Sequence, residues 1–145
     1  MARVVARPSR QISGLSGLSA NVAEWLSAAD YILGEGNRQV VLCERGIRTF
    51  ESATRNTLDL SAVAVVKERS PLPVIVDPSH AAGRREWVVP LALAAAAVGA
   101  DGLIVEAHPN PAEALCDKDQ ALTAEDLDRL VQGLLPILAS QGRSL

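Results

Sequence analysis

Three short apolar runs, each followed at once by reactive side chains, constrain this chain more than any other feature. They are "QVVLCERG" from residue 39, "PVIVDPSH" from residue 73 and "GLIVEAHP" from residue 102. Runs that are apolar nearly throughout, rather than alternating, suit parallel strands covered on both faces. The intervals between them accommodate a helix and a return. Helical patterns fill those intervals: a segment within roughly 50–69, where Ala53, Leu58, Ala62 and Val66 share a face, and "EWVVPLALAAAAVGA" over 86–100. An α/β fold is therefore predicted.

Flanking signals extend the pattern. Asn21 with Glu24 forms a capping pair ahead of a helix face of Val22, Trp25, Leu26, Ala29 and Leu33, which the Gly34 and Gly36 region ends. Thr123 with Asp126 opens a last helix striped by Leu127, Leu130, Val131, Leu134, Leu135 and Leu138, with a kink predicted at Pro136. Residues 1–18 read as an irregular arm or as a damaged strand near Gln11 to Leu15, and residues 19–145 as one folded domain.

Composition narrows the function classes. With 48% apolar but only 3% aromatic residues, the core has to be built from aliphatics packed closely through alanine. A net charge of -3 offers no global attraction to nucleic acid. The run "VVPLALAAAAVGA" is too short for a confident membrane span, and the N-terminus lacks the apolar core of a secretory signal. A soluble, cytoplasmic protein is expected. Cys43 and Cys116 form neither a disulfide framework nor a compact metal knuckle. Cys43 is expected in the core and Cys116 as a bystander.

The reactive residues gather where ligands collect in barrels and doubly wound sheets, at the C-terminal strand ends. His80, Glu106 and Asp117 make a nitrogen and oxygen donor set suited to manganese, cobalt, iron or zinc. His108, before Pro109, fits either a ligand or a turn buttress. Asp77, before Pro78, fits a strand-ending turn or a group that handles protons. Arg45, followed by Gly46, is the leading anion contact, the alternative being a pair with Glu44 or Asp77. Glu44 fits a role orienting Arg45 or water, or a strand-end salt bridge. Arg84 and Arg85 present a second anion contact between them, with no basis for choosing one. No nucleophile elbow, dinucleotide fingerprint or phosphate-cradling GxxxxGK motif is present.

Over residues 17–132, "GNRQVVLCERGIRTFESATRNTLDLSAVAVVKE", "LPVIVDPSHAAGRR" and "GADGLIVEAHPNPAEALCDKDQAL" closely resemble the C-terminal portion of 3-deoxy-7-phosphoheptulonate (DAHP) synthase. This is the first enzyme of the shikimate pathway to the aromatic amino acids, a transferase; the form concerned is similar in its core to 3-deoxy-octulosonate 8-phosphate synthase. "GIRTFESATRNTLD" favours the heptulosonate enzyme. The resemblance implies a partial (β/α)8 TIM barrel containing strands six to eight and their helices. It also implies a divalent metal held by His80, Glu106 and Asp117, and a phosphoenolpyruvate phosphate contact at Arg45, with Glu44 and Arg84 beside it. Asp77 and His80 are the implied catalytic pair. The implied reaction joins phosphoenolpyruvate to erythrose 4-phosphate: the enol carbon attacks the metal-polarised aldehyde, water adds, and phosphate leaves.

The departures are specific. The family's fourth metal ligand, a cysteine on the first strand, and its lysine and arginine motif on the second have no counterpart in these residues. Leu15, Ser16 and Gly17 stand where the fifth strand of the family ends in lysine, arginine and glycine. A complete barrel takes about 250 residues, so 145 residues imply a fragment. Such a chain is expected to be inactive alone, and to form a homo-oligomer or bind a complementary half barrel. The alternative function is a non-catalytic half-barrel remnant that binds anions or mediates association.

Overall fold

The computed structural model describes residues 19–145 together with the backbone of 12–15; the rest of the expected N-terminal arm lies outside the described residues. A four-stranded parallel sheet runs in the order β1 (Ile12–Leu15), β2 (Val40–Glu44), β3 (Val74–Val76), β4 (Gly102–Leu103). Helices α1 (Val22–Gly34) and α2 (Leu60–Arg69) connect the first three strands. Between β3 and β4 lie the short α3 (Pro78–Ala82) and then α4 (Arg85–Ala97), and α5 (Ala124–Ser140) closes the fold. Spatial order follows chain order without reversal, so all four C-terminal strand ends lie along one rim.

Alternation along the strands assigns the two faces. Val40, Leu42, Val74 and Val76 are buried with Trp25 and Ala29 of α1 and Ala62, Val63 and Val66 of α2. Val41 and Ile75, of opposite parity, are only half-buried. A second cluster joins Val88, Ala92 and Ala96 of α4 to Leu122 and to Leu130, Leu134 and Leu138 of α5. The core is aliphatic and alanine-rich, and Gly133 lets α5 approach closely, since a Cβ there would lie 2.9 Å from Leu93 Cδ2. Both expected capping boxes, Asn21 with Glu24 and Thr123 with Asp126, are formed. Helix α5 continues through Pro136. Among the described residues no helix is long and apolar enough to cross a membrane.

Two elements differ from expectation. Residues 50–59 are not helical, so Ala53 and Leu58 share no face with α2. The segment is instead pinned by an antiparallel bridge between Ile47 and Thr57, and α2 starts only at Leu60, where Asp59 Oδ1 accepts the amide of Ala62. The strand predicted over 102–106 stops at Leu103. Its neighbour β3 ends at Val76 because Pro78 turns the chain into α3 and has no N–H to offer a ladder. After Ile104 donates to Val76 O, the chain peels off: the Glu106 amide donates to Ser79 Oγ at 3.0 Å and Ala107 bridges to Leu122.

Candidate functional site

Helix α3 builds the site. Asp77 caps it, Oδ1 accepting the His80 amide at 3.0 Å, and Gly83 ends it in a left-handed conformation. That geometry turns His80 back over the strand end. Asp77 Oδ2 then lies 2.8 Å from His80 Nδ1 and 3.1 Å from Arg45 Nε. Arg45 and Asp77 follow their strands on the same parity, away from the helices, which is why residues 32 apart in sequence meet. Asp77 is 4% exposed, whereas Arg45 is 40% exposed, so the guanidinium is anchored at Nε and still open to solvent.

His80, Glu106 and Asp117 converge: one donor atom from each lies within 4.8 Å of the others, and all three residues are half-buried. With Nδ1 occupied by Asp77, His80 presents Nε2 towards Glu106 Oε1, 3.9 Å away. Glu106 is placed by the buried Ser79 hydroxyl, which receives its amide. Asp117 adopts a positive φ of 53°, and Oδ1 accepts from the buried Gln120 amide group at 3.0 Å, with Arg55 Nη1 at 3.7 Å. One imidazole and two carboxylates form a set that manganese, iron, cobalt and zinc accept, and three protein donors leave coordination positions open to other ligands. The residues present therefore fit a divalent cation.

The remaining candidates fall outside that cluster. Glu44 is 1% exposed, and its Oε1 accepts the amides of Gly46 at 2.8 Å and Asp59 at 3.1 Å. It thus fastens both ends of the 45–59 loop to β2. Burial raises its carboxyl above the ordinary 4.5, more than the two amides lower it. The unfolded chain ionises first, so stability from this group is present below pH 4.5 and is lost as pH rises towards the folded value. Glu44→Gln, which cannot ionise, is expected to gain stability relative to the parent between pH 4 and pH 8, measured by urea unfolding at both.

Arg84 pairs with Glu86 and lies over the Trp87 ring, 4.7 Å from its centroid. It also lines a cleft of about 520 Å³ shared with Arg55, Asp117 and Lys118. A larger cleft of about 1030 Å³ lies along the start of α4 and the Asp126–Arg129 pair, and none of the three converging donors lines it. Arg85 donates its amide to Asp119 O, while its Nε is buried without a hydrogen-bond partner. His108 buttresses a turn through Asn110. The Cys43 thiol is pushed up to about 12, mainly by burial and then by Asp77, and the neighbouring Asp117 carboxylate raises exposed Cys116.

Sequence reasoning misses Ser79, Gln120 and the contact of Arg55 with Asp117 as supports of the site. The hydroxyl in "DPSH" is a visible signal; the other two depend on loop geometry that has no periodic signature.

The fold is thus a parallel α/β layer that collects an imidazole, carboxylates and an anchored arginine at its C-terminal strand ends. The chain belongs to the DAHP synthetase I family, which matches residues 2–135. It is 52% identical over 126 residues to the phospho-2-dehydro-3-deoxyheptonate aldolase of Thermotoga maritima, a match covering 87% of this chain and 37% of that protein. The 2-dehydro-3-deoxyphosphooctonate aldolase of Pectobacterium carotovorum is 37% identical over 120 residues, covering 74% of this chain and 42% of that one. The crystal structure of the Thermotoga DAHP synthase superposes with a TM-score of 0.86 at 51% identity, over 88% of this chain and 38% of that chain. The truncated form of the Thermotoga enzyme gives the same score and is covered to 49%. The chain spans less than half the length of these relatives.

Proposed function

We propose that this chain carries the cation-binding and phosphate-binding wall of a 3-deoxy-7-phosphoheptulonate synthase site, where phosphoenolpyruvate condenses with erythrose 4-phosphate and phosphate is released. The observation that carries this reading is the convergence of His80, Glu106 and Asp117 within 4.8 Å. Sequential parallel strands favour taking β2, β3 and β4 as strands six to eight of a (β/α)8 barrel, with β1 as an altered strand five. A divalent ion held by His80, Glu106 and Asp117 would supply Lewis-acid polarisation of the sugar aldehyde. Arg45 receives the phosphate of phosphoenolpyruvate, a match of guanidinium to phosphate geometry. Glu44 fixes the loop that carries Arg45, and Arg84 adds positive charge at the rim.

On this reading the 145-residue chain is inactive alone. Leu15 and Ser16 replace the lysine and arginine that the family places at the end of strand five, ahead of a glycine that Gly17 retains. Within the described residues β1 and β4 each pair on one side only, and open edges favour association with another copy or a complementary half barrel. The same replacements favour the second reading, a half barrel that binds anions or partners without turnover.

The test is to incubate the purified chain with manganese, phosphoenolpyruvate and erythrose 4-phosphate, following phosphate release and manganese binding. Manganese binding that Glu106→Ala weakens, without phosphate release above a His80→Ala control, is expected. Release above that control would overturn the inactivity, and absence of manganese binding would overturn the site itself.

A further inference from the structure

We infer that Asp77 is a positioning residue that couples the cation cluster to the Arg45 anion site through a single oxygen; the inference rests on the reading of His80 and Arg45 given above. Its Oδ1 is committed to capping α3 through the His80 amide at 3.0 Å, which leaves Oδ2 alone to receive both Arg45 Nε at 3.1 Å and His80 Nδ1 at 2.8 Å. The Nε–H of arginine is an obligatory donor, so Oδ2 acts as an acceptor at that meeting point. The facing ring nitrogen must then be the donor, which puts the proton of the neutral imidazole on Nδ1 and the lone pair on Nε2, the atom turned towards Glu106. One carboxylate thereby selects the ligand-competent tautomer and holds the anion-binding side chain.

Sharing one oxygen makes the two subsites interdependent. An anion on the guanidinium draws positive charge away from Oδ2, which strengthens the hydrogen bond to Nδ1–H and makes Nε2 a better donor to a cation. Anion and cation therefore bind with positive cooperativity, and by linkage each tightens the other by the same factor. Because Asp77 is 4% exposed, water does not replace either contact readily.

Asp77→Asn separates positioning from folding. Asparagine keeps an oxygen for the helix cap but sets an NH₂ where two donors converged, so His80 Nδ1 has to accept and its proton moves to Nε2. The experiment uses the 145-residue chain without metal: imidazole ¹⁵N spectra read the tautomer, and manganese titrations are run with and without inorganic phosphate. The parent chain is expected to show Nδ1–H, and the variant Nε2–H with manganese affinity lowered about 10–100-fold. Phosphate is expected to tighten manganese binding about fivefold or more in the parent and to have no effect in the variant.

Arg45→Met provides a second arm should Asp77→Asn unfold. It is expected to retain the Nδ1–H tautomer and to lose the phosphate effect. An Nε2–H tautomer in the parent, or phosphate coupling that survives either substitution, overturns the inference. Manganese binding without phosphate coupling in the parent overturns the coupling while sparing the cation site; absence of manganese binding overturns both.

Discussion

His80→Ala is expected to lower manganese affinity by at least about 100-fold, beyond the 10–100-fold typical of losing an outer partner of a ligand, while leaving the fold nearly unchanged. His80 supplies the one nitrogen among the three converging donors. Without it, two carboxylates remain, one of them already engaged by Gln120 and Arg55. Folding is insulated from the change because the cap of α3 uses the backbone amide of residue 80, which alanine keeps, and Asp77 retains Arg45 as a partner. The stability cost should be on the order of 1 kcal/mol, the value of one hydrogen bond. Calorimetric titration with manganese and a parallel thermal melt check both halves. Unchanged affinity would remove His80 from the ligand set, and a collapse of the melt would make it a structural residue first.

How far the sequence discloses this site depends on whether a contact has a local signature. Strands β2 and β3 are legible because each is an apolar run, fully buried on its helix-facing side and at least half-buried on the other. Arg45 and Asp77 are legible as strand-end groups because parallel strands deliver their C-terminal residues to one rim. Both capping boxes are local patterns of side chain and spacing. Helix α3 is not legible: five residues are too few for a period, and "DPSH" reads equally well as a loop. Its consequence, that Asp77 caps the helix and orients His80 with the same carboxylate, follows only from the fold. The 45–59 loop escapes for the opposite reason. Ala53, Leu58, Ala62 and Val66 fit a helical spacing, yet the bridge between Ile47 and Thr57 and the amides held by Glu44 keep the first half of that pattern in a bent, non-helical loop. Tertiary hydrogen bonds overrode a weak local preference. The shortened β4 has the same origin, since the turn at Pro78 removes its ladder partner and the buried Ser79 hydroxyl takes the Glu106 amide instead.

Gly46→Ala is expected to destabilise the chain by about 3 kcal/mol or more, and to disturb the site by moving Arg45. Gly46 has φ +94°, a region in which a residue with a Cβ is strained by about 1–2 kcal/mol. Packing adds to the strain: a Cβ there would lie 2.6 Å from Asn56 Cβ, 3.1 Å from Ala81 Cβ and 3.3 Å from Ala81 Cα. Neither neighbour yields easily, because Ala81 is fully buried in α3 and the Asn56 amide donates to Ala81 O at 2.9 Å. The clash therefore has to be relieved by Gly46, whose amide is held by Glu44, and the adjacent Arg45 shifts with it. Gly36→Ala isolates the two contributions. Gly36 has φ +85°, but a Cβ there would meet no atom within 4 Å, so its substitution should cost only the strain, about 1–2 kcal/mol. Urea unfolding of both variants measures the difference. Equal losses would mean that the loop relaxes freely, and the fixed seat this contact gives Arg45 beside α3 would have to be abandoned.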